Sequence, residues 1–187
     1  MTPDRESPTL LDETYATALA TPSDINQLLP TLRQYASNCE RVTEFGTRSG
    51  VSTRAFLHAR PQQLVCYDRV RKPEVAEELE RLALDGGVQF EFIEADVLAV
   101  DIQPTDMLFI DTWHTGEQLA AELGRHAGRV RRYIAMHDTI SFGEKGATPG
   151  HKGLWPAIID FLLKHPEWAL VEQRIISHGL TILGRRS

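Results

Sequence analysis

Cysteine, long apolar runs and excess positive charge are all scarce in this chain. Its two cysteines, Cys39 and Cys66, do not form a CxxC pair and have no partner at metal-finger spacing, so we expect ordinary thiols. No apolar run approaches membrane length, and the polar stretch 1–10 carries Asp4 and Glu6. We therefore expect no signal peptide, no membrane contact and a cytoplasmic location. The 20 lysines and arginines are outnumbered by 26 acidic residues, and this balance argues against a general attraction to nucleic acid.

The remaining composition is that of an ordinary globular protein. With 187 residues, 42% of them apolar, the chain is long enough for one complete core and short for two. We expect a single domain over 1–187, in which a helical extension over 1–40 precedes a core over 41–187. Apolar residues in the extension recur at helical spacing and predict two short helices, interrupted near Thr21 and Pro22.

From Arg41 onward, short apolar runs alternate with amphipathic stretches, a pattern typical of βα units. Five of these runs predict parallel strands, at 42–45, 64–67, 88–93, 107–110 and 133–136. The third run alternates in polarity, so we place it at an edge of the sheet. A last helix is predicted over 154–163, and the runs 168–174 and 179–184 predict an antiparallel hairpin.

The turn after the first predicted strand extends from Glu44 to Ser52 and is rich in glycine. A dinucleotide fingerprint starting at Gly46 would need glycines where Arg48 and Val51 stand, and the ending of a phosphate loop is absent. A pyrophosphate ligand is therefore disfavoured. An acid two positions before the first glycine suits a ligand with a cationic amine, such as S-adenosylmethionine. The alternative is that the glycines serve only tight packing between strand and helix.

Two further acids follow the second and third predicted strands. Asp68 lies 24 residues after Glu44, about the spacing at which an acid meets ribose hydroxyls in Rossmann-like sites. Asp96 follows the next strand, and we expect it to accept the adenine amino group. Asp68 has an alternative interpretation as a solvated residue at a strand end.

These residues resemble the class I S-adenosylmethionine-dependent methyltransferases, and the likeness runs from about Arg41 to Arg185. The stretch Glu-x-Gly-x-x-x-Gly-x-Ser is similar to the first motif of the small O-methyltransferases. The resemblance implies a Rossmann-like α/β fold, with a seven-stranded sheet in order 3-2-1-4-5-7-6, an antiparallel C-terminal hairpin and N-terminal helices. It also implies that the cofactor is bound by Glu44, Gly46, Thr47, Arg48, Gly50, Ser52, Asp68, Asp96 and Asp111.

A narrower resemblance rests on the stretches from Phe109 to His114 and from Ile134 to Thr139. It is to the metal-dependent O-methyltransferases of the catechol and macrolide-sugar types and to the group named after cephalosporin hydroxylase. In these enzymes an Asp ends strand four, a pair of acidic or amide residues ends strand five, and the three bind Mg²⁺. Asp111 and Asp138 match this set, whereas His137 stands where the family usually has an oxygen donor.

The histidines decide which metal and which base the resemblance implies. If His137 coordinates, then Mn²⁺, Fe²⁺, Co²⁺ or Zn²⁺ is favoured over Mg²⁺, because imidazole suits transition metals better than hard cations. Alternatively, His137 only supports Asp138 and no metal binds. His114 is the general-base candidate, because a neutral imidazole with a pKa near ~6.5 can accept a hydroxyl proton. Its alternative role is packing at a helix N-terminus.

The sequence thus predicts a methyltransferase that acts on a hydroxyl of a small molecule, sugar or polysaccharide. We expect the long loop 139–152 to cover the site, with Phe142 against an apolar part of the acceptor and His151 or Lys152 against a polar part. The extension 1–40 is expected to cover the acceptor side or to form a homodimer contact. The alternative functions are a non-catalytic S-adenosylmethionine-binding module or partner subunit, and an NAD-binding protein.

Overall fold

The computed structural model describes residues 7–186, so the expectations for Asp4 and Glu6 lie outside the described residues. Its strands are β1 Arg41–Phe45, β2 Gln63–Asp68, β3 Gln89–Glu94, β4 Thr105–Ile110, β5 Val130–His137, β6 Trp168–Arg174 and β7 Leu180–Arg185. Its α-helices are α1 Leu10–Ala20, α2 Leu29–Ala36, α3 Val51–His58, α4 Pro73–Gly86, α5 Gly116–His126 and α6 Leu154–Lys164. Short 3-10 turns precede α2 and follow α5.

The strands form one seven-stranded sheet in the order β3-β2-β1-β4-β5-β7-β6. Strands β1 to β5 are parallel, and β7 runs antiparallel to both β5 and β6. The fold class, the strand order and the C-terminal hairpin predicted from the sequence are confirmed. The edge position of β3 is also confirmed, and its alternating polarity reflects exposure of every second side chain near its start.

Helices cover the two faces of the sheet and create two hydrophobic clusters. Strand β4 is buried along its whole length, and its neighbouring residues Leu108 and Phe109 belong to different clusters. This is what alternating side-chain direction in a strand with two covered faces requires. Within the described residues, no helix is long and apolar enough to cross a lipid bilayer.

The N-terminal helices form part of the main core. Leu11 of α1 and Leu32 of α2 are fully buried, in the same cluster as Phe56 of α3. The Tyr35 hydroxyl at the end of α2 donates a hydrogen bond of 2.8 Å to Glu172 on β6. Most of the apolar stripe predicted in the extension is therefore buried within this chain, whereas Leu10 and Leu19 stay exposed.

Candidate functional site

The Gly-rich turn between β1 and α3 is built so closely against the end of β4 that its first residue must be glycine. Gly46 has φ +87°, and a Cβ there would lie 1.9 Å from the backbone oxygen of Asp111. Gly50 also has a positive φ, of +72°, and is the N-cap residue of α3. Gly46 brings the backbone of the turn next to Asp111, whereas Gly50 brings it next to Leu79 of α4.

The sequence predicts that Glu44 faces the ligand, and the structure shows that it does not. Its side chain is fully buried under the turn, and its carboxylate accepts hydrogen bonds from Ser52 Oγ (2.5 Å), Thr53 Oγ1 (2.6 Å) and Cys66 Sγ (3.1 Å). Ser52, also expected at the cofactor, is buried for the same reason, since its hydroxyl donates to Glu44. The hydrogen bond between these two residues connects β1 to α3 and so stabilises the turn between them. Thr47 is likewise buried.

Burial has a measurable consequence at Glu44. Loss of hydration raises the pKa of this carboxyl from its ordinary 4.5 to about 7, although the hydrogen bonds from Ser52, Thr53 and Cys66 oppose the shift. Between these two values the folded chain keeps a proton that the unfolded chain has released. The stability of the fold should therefore fall as the pH rises through this interval.

We expect Glu44→Gln to remove this part of the pH dependence. From pH 4 to pH 8 the free energy of unfolding should decline by about 3 kcal/mol less in the variant than in the native chain, since each pKa unit corresponds to about 1.4 kcal/mol. Urea unfolding at several pH values measures the difference. Parallel curves for the two proteins would show that Glu44 ionises in the folded chain as it does in the unfolded one.

A cavity of about 530 Å³ lies at the carboxyl ends of the parallel strands. Asp68, Asp96, Arg48 and Trp113 are among its lining residues, together with Gly46. One oxygen of Asp68 accepts a hydrogen bond of 2.8 Å from the Arg48 backbone nitrogen, which fixes the carboxylate while leaving lone pairs for a ligand. The structure thus brings the two predicted nucleoside-binding acids together, and the volume falls in the ordinary range of small-molecule sites.

A second cavity, of about 410 Å³, adjoins the first. Gly46, Arg48, Asp111 and Thr112 line both cavities. The second cavity is further lined by Asp24, His114, Asp138, Ser141, Phe142 and His178. A ligand that fills the first cavity can therefore reach a second molecule at the residues that the two cavities share.

The chemical centre of the second cavity is a cluster of carboxylates and imidazoles. His114 Nε2 lies 2.9 Å from Asp138 Oδ2 and 3.2 Å from Asp111 Oδ1. His137 Nδ1 lies 3.4 Å from one oxygen of each carboxylate. Asp138 follows β5 with a left-handed backbone, φ 61°, and one of its carboxylate oxygens lies within 4.8 Å of a carboxylate oxygen of Asp111.

His137 is anchored from its far side. Its Nε2 lies 2.9 Å from the backbone oxygen of Ser177 and donates a hydrogen bond to it, because a carbonyl oxygen can only accept. Its Nδ1 is buried and has no partner of hydrogen-bond geometry among the described residues. A buried imidazole nitrogen without a partner, facing two carboxylates, is the environment that a bound cation would complete.

The sequence predicts a neutral His114, but the two neighbouring carboxylates favour its protonated form. Burial alone lowers the pKa of His114, but its hydrogen bonds to Asp111 and Asp138 outweigh burial and raise the pKa to about 9. Burial also lowers the pKa of His137, but the nearby carboxylates of Asp111 and Asp138 outweigh it and raise the pKa to about 10. Desolvation opposes ionisation of Asp111 and Asp138, yet the two histidines hold the pKa of both carboxyls below the ordinary value. Without a metal, His114 therefore keeps its proton at neutral pH and is a poor base.

The same donor atoms fit a divalent metal ion. One ligand atom each from Asp111, His114 and Asp138 lie within 4.8 Å of one another. The structure thus adds His114 to the predicted set of Asp111, His137 and Asp138, and His137 remains a predicted ligand. Two carboxylates with one or two imidazoles suit Mn²⁺, Fe²⁺, Co²⁺ or Zn²⁺ better than Mg²⁺.

The loop after β5 contributes one aromatic residue to the second cavity. Phe142 lines this cavity and stacks on His114 with 4.8 Å between ring centroids, and its contact with the acceptor stays a prediction. His151 instead lies 3.3 Å from Glu117 on α5, and Lys152 is exposed outside the cavity. The expectation that His151 or Lys152 meets the acceptor is therefore wrong for this conformation of the loop.

Sequence reasoning missed two residues of the second cavity, Asp24 and His178. Asp24 lies between α1 and α2, and His178 lies at the tip of the hairpin between β6 and β7. Neither belongs to a motif, and each reaches the cavity only because its segment packs against the ends of the parallel strands. The nitrogen Nδ1 of His178 lies 2.6 Å from Ser141 Oγ and 4.0 Å from Asp138.

No protein-family model matches the sequence, and no curated protein matches it. Solved structures do match this chain. A provisionally assigned O-methyltransferase from Klebsiella pneumoniae superposes with a TM-score of 0.65, at 20% identity over 95% of this chain and 88% of that one. The O-methyltransferase TomG from Streptomyces achromogenes, in complex with S-adenosylmethionine, gives 0.59, at 17% identity over 94% and 91% of the two chains. The chain has the class I methyltransferase fold.

The acceptor atom differs among proteins with this fold. The N-methyltransferase NodS from Bradyrhizobium japonicum superposes with a TM-score of 0.61, at 10% identity over 88% of this chain and 97% of that one. A fold shared by O- and N-methyltransferases does not select the acceptor. Selection of the acceptor atom depends on the side chains of the second cavity.

Proposed function

We propose that this protein is an S-adenosylmethionine-dependent methyltransferase that acts on a hydroxyl group with the help of a divalent metal ion. The observation that carries the proposal is the junction of the two cavities at Gly46, Arg48, Asp111 and Thr112. One cavity has the acids expected for a nucleoside, and the other has a carboxylate and imidazole cluster. The fold of known methyltransferases supports the same assignment.

In this proposal, the first cavity binds the adenosyl part of the cofactor. Asp68 accepts hydrogen bonds from the ribose hydroxyls, because its carboxylate is held in place by the backbone of the Gly-rich turn. Asp96 is positioned by a hydrogen bond from the backbone of Leu98 (2.9 Å) and faces the same cavity. Gly46 keeps the turn free of side-chain atoms where the cofactor crosses into the second cavity.

The second cavity binds the acceptor. Methyl transfer is an in-line displacement at the methyl carbon, so alignment of the acceptor oxygen is the main catalytic requirement, and alignment can lower a barrier by roughly 7 to 11 kcal/mol. Asp111 lines both cavities, Asp138 lines the second one, and Phe142 forms an apolar wall beside His114. A divalent ion bound by Asp111, His114 and Asp138 would orient a coordinated hydroxyl and lower its pKa.

The side chains of this cavity favour a small hydroxylated acceptor, such as a phenol or a sugar. Asp111, Asp138 and His178 can bind hydroxyl groups, and Phe142 can pack against a ring. A volume of about 410 Å³ admits one ring system. A polysaccharide could present only a terminal residue to this site.

We expect Asp68→Ala to weaken binding of S-adenosylhomocysteine by about 1 to 3 kcal/mol, because a charged acceptor for the ribose hydroxyls is lost. Calorimetric titration measures the change, and NAD is the competing ligand. The native chain should bind S-adenosylhomocysteine in the micromolar range and should not bind NAD, since the turn has no pyrophosphate cradle. Equal or tighter binding of NAD would refute the cofactor assignment.

A matched control for this variant is Asp101→Ala. Asp101 is an exposed acid that pairs with Arg125 and lies outside both cavities. Its replacement should leave the affinity for S-adenosylhomocysteine unchanged. Equal losses in the two variants would mean that Asp68 acts through general charge and makes no contact with the ribose.

A further inference from the structure

The burial of Glu44 leaves the amino-acid end of the cofactor without the acid that the sequence assigned to it. We infer that the ion pair between Asp24 and Arg48 binds this end, with Asp24 accepting from the ammonium group and Arg48 donating to the carboxylate. The inference rests on the proposed function and assigns to Asp24 a role in cofactor recognition. It therefore makes the segment before α2 part of the cofactor site.

The ion pair stands where the two cavities meet. Arg48 Nη2 lies 2.7 Å and 3.0 Å from the two oxygens of Asp24, and Arg48 lines both cavities. Asp24 lines the second cavity together with Gly46. A cofactor whose adenosyl part lies against Asp68 and Asp96 must send its sulfonium and amino-acid parts across Gly46, and so toward this pair.

Both partners keep hydrogen-bonding capacity for a ligand. The bonds between the two side chains use Nη2 of Arg48, so Nη1 and Nε can still donate to a carboxylate. Each oxygen of Asp24 accepts one such bond and has a further lone pair. The Arg48 side chain is 66% exposed and the Asp24 side chain is 33% exposed. A ligand can therefore reach both without unfolding of the turn.

The other acids near the turn are already engaged. Glu44 is enclosed by the hydroxyls of Ser52 and Thr53. Asp111 Oδ1 lies 3.2 Å from His114 Nε2, and Asp111 Oδ2 lies 3.4 Å from His137 Nδ1. Asp138 Oδ2 lies 2.9 Å from His114 Nε2. Among the described acids that line the second cavity, Asp24 is the one that pairs with an arginine. An adjacent anion and cation complement a zwitterion, because each ligand charge meets the opposite charge.

The test compares two ligands that differ only in the amino-acid end. S-adenosylhomocysteine carries the ammonium and carboxylate, whereas 5'-methylthioadenosine has the adenosyl part without them. Calorimetric titration of both ligands is done on the native chain and on Asp24→Asn. The variant should bind S-adenosylhomocysteine about tenfold more weakly and 5'-methylthioadenosine within about twofold of the native chain.

Arg48→Met serves as the second variant, because it removes the other charge while leaving the backbone bond from residue 48 to Asp68 in place. It should show the same selective loss. Glu13→Gln is the control, since Glu13 is an exposed acid of α1 outside both cavities. It should change neither affinity.

Each other outcome overturns the inference in a distinguishable way. Equal losses of affinity for both ligands would mean that the ion pair only stabilises the conformation of the Gly-rich turn. Unchanged affinity for both ligands, with a raised KM for the acceptor, would assign the pair to the acceptor. Failure of the native chain to bind either ligand would refute the proposed function itself, and this inference with it.

Discussion

Replacement of Asp138 by Asn should lower methyl transfer by about 10²- to 10³-fold, because a metal-ion centre supplies several kcal/mol of transition-state stabilisation. Asp138 is buried at the end of β5, beside His114 and His137, and its carboxylate is one of three groups that can hold the ion. Asparagine is the suitable replacement, since it tolerates the left-handed backbone of this residue. Single-turnover transfer from methyl-labelled S-adenosylmethionine measures the rate.

The affinity for the cofactor separates this effect from a general loss of structure. Asp138 does not line the first cavity, so calorimetry should give an unchanged dissociation constant for S-adenosylhomocysteine in the variant. Asp160→Asn is the matched control, because Asp160 is an exposed acid on α6 paired with Lys164. Full activity in the Asp138 variant would show that the cluster does not take part in transfer.

The second large effect is expected for Gly46→Ala, which should lower the free energy of unfolding by about 3 kcal/mol through backbone strain and overpacking. The new methyl group would lie 1.9 Å from the backbone oxygen of Asp111, and the residue would keep a positive φ that alanine disfavours. The end of β4 must then move. Cofactor affinity and metal affinity should fall together, because Gly46 and Asp111 line both cavities.

Gly124→Ala is the counterpart that isolates this cause. Gly124 lies on the exposed side of α5, and a Cβ there would meet no atom within 4 Å. Alanine should raise the free energy of unfolding by about 0.5 to 1 kcal/mol through helix propensity. Chemical denaturation of both variants tests the pair. A small loss in Gly46→Ala with normal ligand binding would mean that the turn can relax without disturbing Asp111.

The sheet was predictable because its signals are local. Continuous apolar runs mark strands covered on both faces, such as β4, and the alternation in β3 marks an edge. The acids at the ends of β2 and β4 could be placed at one rim from strand direction alone. Asp68 and Asp111 consequently lie at the carboxyl ends of the strands, as the sequence predicts. Asp68 lines the first cavity, and Asp111 lines both.

The failures concern side-chain direction and tertiary contact. Glu44 is one residue inside the end of β1, so alternation turns it toward α3, where Ser52 and Thr53 enclose it. Asp24 and His178 come from segments with no motif, and their place in the site depends on packing. The pKa of His114 depends on distances to two carboxylates from different strands, which no sequence spacing specifies.

The most direct test of the account is methyl transfer by the native chain before and after removal of metal. The protein is incubated with methyl-labelled S-adenosylmethionine and a set of phenols and sugars, first as prepared, then with EDTA, then with added Mn²⁺. We predict a labelled methyl ether that disappears with EDTA and returns with Mn²⁺, while S-adenosylhomocysteine binds throughout. Binding of S-adenosylhomocysteine without transfer to any hydroxyl under any divalent metal would contradict the account and favour a non-catalytic binding module.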